Sequence, residues 1–373
     1  MSPTSNSGTF EVALRTIRGA VGFALCIATA LTARASAADD EAGPGKYPKR
    51  SEVQSFITEM VDRHGFRAAD LNNTFARARF QPEIVSAMSP QPTGVRNWQA
   101  YRARFLNQRR VDHGVRFWAQ HRDALARASA QYGVPEEIIV SIIGVETEYG
   151  RNMGTYRVLD ALATLSFDYP RRAAYFRTEL EHFLLFTRES RSDVLGMRGS
   201  YAGAVGIPQF MPASYRRFAV DFDRDGRRDL LGSPVDAIGS VANYLREHGW
   251  ERGQPIGFPA EVDGTAHELL LIAGISPAFR VAELPDYGVR MSIAGSSGQA
   301  GHEMPDDDAQ VALVELDTPG QVSAYWVGFG NFYAITRYNQ SSFYAISVLE
   351  LANTLRAERS RSPTSGGKRS SNR

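Results

Sequence analysis

The amino-acid sequence predicts an α+β protein that is predominantly helical and carries one small β insertion. Apolar residues recur every three or four positions over residues 51–131, and an almost wholly apolar helix is predicted over residues 135–149. Residues 256–322 instead form short strand-like segments separated by glycine, proline and aspartate. With 373 residues, 43% of them hydrophobic, the chain is long enough for two or three such units around a real core.

The first 37 residues are typical of a cleaved export signal. Arg15 and Arg18 precede an apolar stretch over residues 21–31, and the small residues 35–37 suit a signal peptidase. A membrane anchor is the alternative, but this apolar stretch is shorter than the roughly 20 residues that cross a bilayer. We therefore predict a periplasmic protein from which residues 1–37 have been removed.

Cys26, the only cysteine, lies inside this signal, so the exported body is expected to contain no disulfide. A lipid anchor on Cys26 is disfavoured, because a lipoprotein signal needs a small residue just before the cysteine and Leu25 occupies that position. The formal net charge is +1, and no basic stripe runs through the body of the chain. Nucleic acid is therefore not an expected partner.

Changes in composition divide the chain into seven segments. They are a signal peptide (1–37), a disordered linker (38–50), a helical lobe (51–131), the core (132–255), the β insertion (256–322), a return to the core that ends in a helix (323–358) and a disordered basic tail (359–373). The core segment contains most of the residues that point to chemistry.

The helix predicted over residues 135–149 should be buried nearly all round. Pro135 suits the first helical position, two glutamates follow at the positive helix start, and Gly150 can supply the left-handed stop. Its apolar residues leave almost no polar face: Ile138, Ile139, Val140, Ile142, Ile143 and Val145.

Glu146 is the candidate catalytic residue at the end of this helix. It follows Ile143 and Ile142 by three and four positions, so its carboxyl lies over the same apolar surface, whereas Glu148 points about 200° away. Burial raises the pKa of a carboxyl, and a glutamic acid protonated near neutral pH can donate a proton to a glycosidic oxygen. From spacing alone, a structural glutamate with a backbone or arginine partner is an equally good interpretation.

The sequence around Glu146, IIGVETEYG over residues 142–150, resembles the catalytic-helix motif of the membrane-bound lytic transglycosylase B family, glycoside hydrolase family 103. The resemblance covers about residues 50–355 and includes four further segments: 157–165, 169–172, 203–212 and 234–244. It implies a lysozyme-like core with a helical lobe and a small β insertion. It also implies that the partner is the glycan strand of peptidoglycan, cut between N-acetylmuramic acid and N-acetylglucosamine.

Family members use one glutamate first as acid and then as base, need no catalytic cofactor, and leave a 1,6-anhydromuramoyl end. The resemblance assigns that role here to Glu146. It assigns positions in the substrate cleft to Ser200, Gln209, Tyr244, Tyr338, Asn339 and Tyr101. Two alternatives stay open: a hydrolytic muramidase on the same fold, in which water captures the intermediate, and a non-catalytic peptidoglycan-binding protein.

Residues 221–226, DFDRDG, match the first half of a calcium-binding EF-hand loop, in which alternate oxygen ligands converge on one hard cation. The twelfth position is Gly232 instead of glutamate, and the resemblance places the last acidic ligand at Asp236, with one extra residue in between. The predicted metal site of a structural calcium ion is Asp221, Asp223, Asp225, Arg227 and Asp236. The alternative is a solvated turn whose arginines neutralise its acids.

A saccharide groove needs aromatic platforms, because sugars present flat C–H faces to them. Four aromatic residues crowd one short stretch: Phe332, Tyr333, Tyr338 and Tyr344. Core packing is the alternative for any one of them. We expect a monomer, and proteins of cell-wall synthesis or division are its candidate partners besides peptidoglycan.

Overall fold

The computed structural model describes residues 46–89, 97–292 and 305–361. Residues 1–37 with Cys26, most of the predicted linker and most of the predicted tail lie outside these ranges. Within them, no helix combines the length and the apolar character that crossing a bilayer requires. Helices dominate, and the strands gather mainly in one small sheet.

Six helices precede the core and build the helical lobe. They are α1 (Ser51–His64), α2 (Ala68–Phe75), α3 (Pro82–Met88), α4 (Trp98–Phe105), α5 (Gln108–Gln120) and α6 (Arg122–Tyr132). Val53, Phe56, Ile57 and Met60 form the buried face of α1, which follows the predicted helical spacing. Asn97 and Asn107 cap α4 and α5 by accepting a backbone N–H through the side chain.

The core is built around one helix, α7 (Glu136–Thr147), whose residues from Ile138 onwards are all buried. It packs against α5 and α6 and against two later helices, α11 (Pro234–Glu247) and α14 (Ser342–Arg361). The remaining helices of this part are α8 (Val158–Phe167), α9 (Ala173–Ser190), α10 (Pro212–Phe218) and α13 (Gly330–Thr336). Two short strands, β1 (Tyr156–Arg157) and β2 (Arg198–Gly199), pair antiparallel beside them.

The small sheet has five antiparallel strands with its own apolar cluster. In chain order they are β3 (Gly257–Val262), β4 (Phe279–Arg280), β5 (Val289–Met291), β6 (Gln310–Leu316) and β7 (Ala324–Gly328), and their spatial order is β4-β6-β7-β3-β5. The short helix α12 (Glu268–Ile272) packs on β6. Val327 lies opposite both Leu313 and Phe258, so alternate residues of three strands meet in one cluster.

Three predicted boundaries differ from the structure. Strand β7 lies in the segment assigned to the core from residue 323, yet it pairs with β3 and β6, so the sheet extends past that boundary. Helix α14 continues to Arg361, into the predicted tail. At the other end, Tyr47 in the predicted linker is buried and its hydroxyl donates to Asp168 (2.7 Å), while Arg50 pairs with the same carboxylate. These contacts order residues that composition alone classed as a linker.

Candidate active site

Glu146 lies in the last turn of α7 and is 8% exposed. Its Oε1 accepts a hydrogen bond of 2.7 Å from the hydroxyl of Tyr344, which belongs to α14. Burial raises the pKa of Glu146 to about 7, although the hydrogen bond from Tyr344 acts in the opposite direction. The carboxyl is therefore a proton donor and acceptor suited to neutral pH.

Burial and the Tyr344 hydroxyl are the only influences on the pKa of Glu146 from the part of the chain that the structure describes. Neither a second carboxyl nor a basic side chain of these residues contributes. A general acid needs a raised pKa, and here the apolar surroundings alone provide it.

The end of α7 differs from the predicted one. The helix stops at Thr147, two residues earlier than expected, and three successive residues, Glu148, Tyr149 and Gly150, adopt left-handed backbone conformations. The backbone N–H of Glu148 donates to the carbonyl of Gly144 (3.1 Å). Glu148 is therefore the C-cap of the helix, in place of the expected Gly150. The buried Arg110 also donates to the carbonyl of Gly144 through Nε (3.0 Å), which adds a positive charge at the helix C-terminus.

Glu148 is as buried as Glu146, although helical spacing predicts that it points away from the apolar surface. The two differ in their partners. The Oε1 of Glu148 lies 2.8 Å from His113 Nδ1 and 2.8 Å from Arg109 Nε, whereas Glu146 has only a neutral hydroxyl. The charge of Arg109 therefore compensates Glu148, whereas among the described residues no charged side chain pairs with Glu146.

Glycine at position 144 leaves room for the ring of Tyr149, which folds back against α7. A Cβ at Gly144 would lie 2.5 Å from Tyr149 Oη and 2.7 Å from its Cζ. We expect Gly144→Ala to lower the free energy of unfolding by about 2 kcal/mol, because overpacking outweighs the gain of up to about 1 kcal/mol in helix propensity. Urea denaturation followed by circular dichroism measures this.

Two further variants test the same contact. The Tyr149 hydroxyl is buried without a hydrogen-bond partner, so adding Tyr149→Phe to Gly144→Ala should recover part of the loss. Gly330→Ala is the matched control, since nothing lies within 4 Å of a Cβ there. A Gly144→Ala protein as stable as the unmodified one would contradict the packing described.

A row of aromatic rings extends away from Glu146. Tyr344 and Tyr338 are nearly parallel at 6.4 Å between ring centroids, and Tyr338 lies 4.7 Å from Tyr244 of α11. Burial raises the pKa of Tyr338, Tyr344 and Tyr244 above the usual value, and the charge of Glu146 adds to this, so all three hydroxyl groups are neutral donors. Tyr244 donates to the carbonyl of Arg337 (2.7 Å) and Tyr338 to that of Pro208 (3.1 Å).

The loop that carries Gln209 lies against the end of α7 and this row. Thr147 donates through its hydroxyl to the carbonyl of Ile207 (2.7 Å), and Phe210 contacts the rings of Tyr244 and Tyr338. Gln209 itself has a left-handed backbone, with φ of 51°, and its Nε2 donates to the carbonyls of Gly206 (2.8 Å) and Met153 (3.2 Å). Its side-chain amide is thus held in one orientation.

The other predicted cleft residues are placed less directly. Ser200 is buried, and its Oγ accepts the backbone N–H of Ala204 (3.0 Å) in the turn before that loop. Asn339 follows Tyr338, and its buried Oδ1 has no hydrogen-bond partner. Tyr101 is half-buried, packs on Phe105 and Phe343, and is near enough for its charge to raise the pKa of Tyr344.

Tyr344 has a role in the site that its sequence position does not indicate. It was one of four candidate aromatic platforms, and the structure makes it the hydrogen-bond donor to Glu146. Phe332, another of the four, is fully buried in the core. The two partners are 198 positions apart, and no local pattern in the sequence signals such a pairing.

Three acids of the predicted metal loop meet. One carboxylate oxygen from each of Asp221, Asp223 and Asp236 lies within 4.8 Å of the others. Asp236 is completely buried at the start of α11, and its two oxygens accept the backbone N–H groups of Phe222 (2.7 Å), Asp223 (3.2 Å) and Asp229 (2.8 Å). Burial raises the pKa of Asp236, and these hydrogen bonds oppose that rise. Hard carboxylate oxygens in this arrangement suit a calcium ion.

The two remaining predicted ligands lie outside this group of three. Asp225 accepts the backbone N–H of Arg227 (2.8 Å) and donates its own to Asp221 (3.1 Å), which shapes the turn. Within the described residues, no ion pair joins the arginines of this loop to its acids. Ser233 ties the loop to α11 by donating to Asp223 (2.7 Å).

Comparison with known proteins gives concordant matches. Residues 48–353 match the family described as "Transglycosylase SLT domain". The chain is 42% identical over 320 residues to membrane-bound lytic murein transglycosylase B of Escherichia coli (strain K12), which is 83% of this chain and 84% of that relative.

Two solved structures are also similar. Soluble lytic transglycosylase SltB1 from Pseudomonas aeruginosa has a TM-score of 0.76 at 44% identity, covering 83% of this chain and 99% of that one. The E. coli lytic transglycosylase Slt35 in complex with calcium has a TM-score of 0.73 at 41% identity, covering 87% and 98%. These neighbours confirm the predicted fold class.

Proposed function

Because the chain belongs to the transglycosylase SLT domain family, as its sequence resemblance predicted, we propose that it is a lytic murein transglycosylase. Its substrate is the glycan strand of peptidoglycan, and the bond that it cuts is the β-1,4 link between N-acetylmuramic acid and N-acetylglucosamine. The observation that carries the proposal is the buried Glu146 carboxyl, whose pKa is raised to about 7 and whose one hydrogen bond from the described residues comes from Tyr344.

In the first step, protonated Glu146 donates its proton to the glycosidic oxygen as the bond to C1 of the muramoyl unit breaks. The substrate's own acetamido group stabilises the positive charge at C1, which fits the absence of a second carboxyl among the influences on Glu146. In the second step, the Glu146 carboxylate takes the proton of the C6 hydroxyl, and the oxygen of that hydroxyl bonds to C1. The carboxyl is thereby restored, and a 1,6-anhydro ring closes.

We propose that residues around this carboxyl form the walls of the cleft. Tyr338 and Tyr244 offer ring surface beside Glu146, and the unpartnered Oδ1 of Asn339 is an acceptor for a sugar hydroxyl or amide. Ser200, Gln209 and Tyr101 complete the proposed set, which supports binding without taking part in proton transfer.

We also propose a structural calcium ion. Asp221, Asp223 and Asp236 would hold it, with Asp225 and the chain at Arg227 completing the loop. The calcium complex of Slt35 supports this assignment. An ion that binds only the folded state stabilises it, and the ion has no part in the proton transfers.

The substrate locates the enzyme in the cell envelope, where murein is found. The signal peptide of residues 1–37, the periplasmic location, the monomeric state and the cell-wall partners stay predictions. Fractionation of cells producing the full chain would test the first two.

Product analysis tests the proposed reaction. Purified sacculi digested with the enzyme should release muropeptides whose muramoyl ends are lighter by one water than those made by a muramidase. Mass spectrometry separates the two outcomes. Hydrated ends would support the muramidase alternative, and binding to sacculi with no release would support a binding protein.

Removing the hydroxyl of Tyr344 tests whether that hydroxyl lowers the pKa of Glu146. A general acid must be protonated, so activity should fall as pH rises through the pKa of Glu146, about 7. The Tyr344 hydroxyl lowers that pKa, so in Tyr344→Phe the fall should move to higher pH. We expect kcat to drop by no more than about tenfold, because the carboxyl remains. A pH profile of kcat/KM that stays in place, or moves to lower pH, would contradict this assignment.

A further inference from the structure

A second concave site lies at the end of α7 opposite to Glu146. It is a cavity of about 670 Å³, enclosed by the start of α7, the C-terminal half of α14 and the loop that follows α11, and we call it the rear cavity. Glu137 in its wall precedes Glu146 by nine residues, which corresponds to about 14 Å along a helix. The described residues that line the rear cavity include no member of the proposed substrate cleft, so the two sites are separate.

One wall of the rear cavity is a single face of α14. Its residues follow helical spacing: Leu349, Ala352, Asn353, Arg356, Arg359 and Ser360. Leu349 and Ala352, at the inner end, are buried, as is Ile138 of α7. The last two residues, Arg359 and Ser360, are exposed. The cavity is therefore apolar inside and polar at its rim, which is the usual composition of a ligand site.

The opposite wall is the loop that follows α11, and buried contacts hold it in place. The side chain of Asn331, 1% exposed, accepts the backbone N–H of Glu251 (2.8 Å) and donates to the carbonyls of Glu251 (2.9 Å) and Gln254 (2.8 Å). On the other side, the indole of Trp250 donates to the carbonyl of Gly133 at the end of α6 (3.0 Å). The cavity is thus formed before any ligand enters, which limits the entropy that binding costs.

Acidic and basic side chains alternate at the rim of the rear cavity. Arg356 pairs with Glu137 and Arg359 with Glu136, each at an N–O distance of 3.4 Å. The third arginine of the lining, Arg252, donates to a backbone carbonyl of α6 (2.6 Å). An anionic ligand would meet both carboxylates, and a cationic ligand would meet the guanidinium groups. The rim therefore favours a neutral ligand that is rich in polar groups.

We propose that the rear cavity binds N-acetylated sugar units of a second glycan strand, apart from the strand that is cut at Glu146. The inference rests on the proposed function, since it concerns the same polymer. Sugar hydroxyl and amide groups both donate and accept, so they match the carboxylates, the guanidinium groups and the amides of Asn353 and Gln254 in the lining. The C–H faces of a sugar match the apolar interior, which the indoles of Trp118 and Trp250 complete. A second strand held here keeps the enzyme on the sacculus between cuts.

The four tryptophans of the chain allow the two sites to be observed separately. Trp118 and Trp250 line the rear cavity, whereas Trp98 packs on Phe343, which contacts Tyr101 of the proposed cleft. We would label the Glu146→Gln protein with 5-fluorotryptophan, so that no cleavage occurs, and titrate it with the β-1,4-linked tetramer of N-acetylglucosamine. Fluorine NMR should show the signals of Trp118 and Trp250 moving together as the tetramer binds.

Removing two amides of the lining tests the assignment. Asn353→Ala together with Gln254→Ala should raise the midpoint of the Trp118 and Trp250 shifts about tenfold, because two hydrogen bonds are lost, and should leave any shift of Trp98 in place. Thr354→Ala is the matched control on α14: its hydroxyl donates to the carbonyl of Glu350 (2.9 Å) and it does not line the cavity, so the midpoint should not change.

Two results would overturn the proposal: signals of Trp118 and Trp250 that stay in place throughout the titration, or shifts of the same midpoint in the double variant. The proposed function is tested separately, by product release from sacculi with Glu146 intact. Failure to release anhydro products would overturn that function, while the fluorine signals would still decide whether the rear cavity binds a saccharide.

Discussion

Glu146→Gln is expected to abolish the release of anhydromuropeptides from sacculi, with a loss of at least about 10³-fold. General acid catalysis contributes up to about 10⁴-fold, and here one carboxyl serves both proton transfers, so no other group replaces it. Glutamine keeps the shape and can still accept the hydrogen bond of Tyr344. The measurement is product release quantified by mass spectrometry, with sacculus binding as the control for folding.

Stability provides an independent check on the same variant. The pKa of Glu146 is about 7 in the folded protein against an ordinary 4.5, so the folded state binds the proton more tightly. The contribution of Glu146 to stability therefore falls as pH rises from 4.5 through 7, by up to about 3 kcal/mol, and Glu146→Gln removes this contribution. At pH 8 the variant should be the more stable of the two, and at pH 4 the difference should vanish.

A neighbouring acid serves as the matched control for activity. Glu148 is equally buried but is ion-paired with Arg109 and contacts His113, so Glu148→Gln should lower stability while product release continues. Full activity of Glu146→Gln, or complete loss in a folded Glu148→Gln protein, would move the catalytic role away from Glu146.

Asp236→Ala is expected to have the largest effect on stability, about 4 kcal/mol. The substitution removes a buried carboxylate that accepts three backbone N–H groups and leaves those donors unsatisfied. It also removes one of the three converging acids, so the stabilisation by calcium should disappear. For the unmodified protein that stabilisation is about 2.7 kcal/mol at a calcium concentration 100-fold above Kd.

Urea denaturation with calcium and with a chelator measures both effects. Asp225→Asn is the control, because Asp225 lies outside the group of three converging acids and accepts the backbone N–H of Arg227 in the turn. It should cost little without calcium and keep part of the calcium response. An undiminished response in Asp236→Ala would show that other ligands hold the ion.

The sequence predicted well those features that local spacing determines. Apolar residues at three and four positions located α1 and α7, and the position of Glu146 after Ile142 and Ile143 indicated a buried carboxyl. The alternating aspartates indicated the loop in which Asp221 and Asp223 meet.

Features that depend on contacts between residues far apart in the sequence could not be predicted from it. No sequence pattern near Glu148 indicates its contacts with Arg109 and His113, so its burial could not be predicted. Tyr47 sits in a stretch of linker-like composition and is ordered only because Asp168 accepts its hydroxyl. The end of α7 was misplaced because the glycine rule favoured Gly150, whereas the helix already closes at Glu148.

The helix that completes the site is also the last one along the chain. Tyr344 reaches Glu146 from α14, and α14 forms one wall of the pocket around α7, so the first half of the protein cannot bury its central helix until residue 342 and beyond have been made. A nascent or C-terminally truncated polypeptide therefore leaves the carboxyl hydrated and more acidic than the completed fold does.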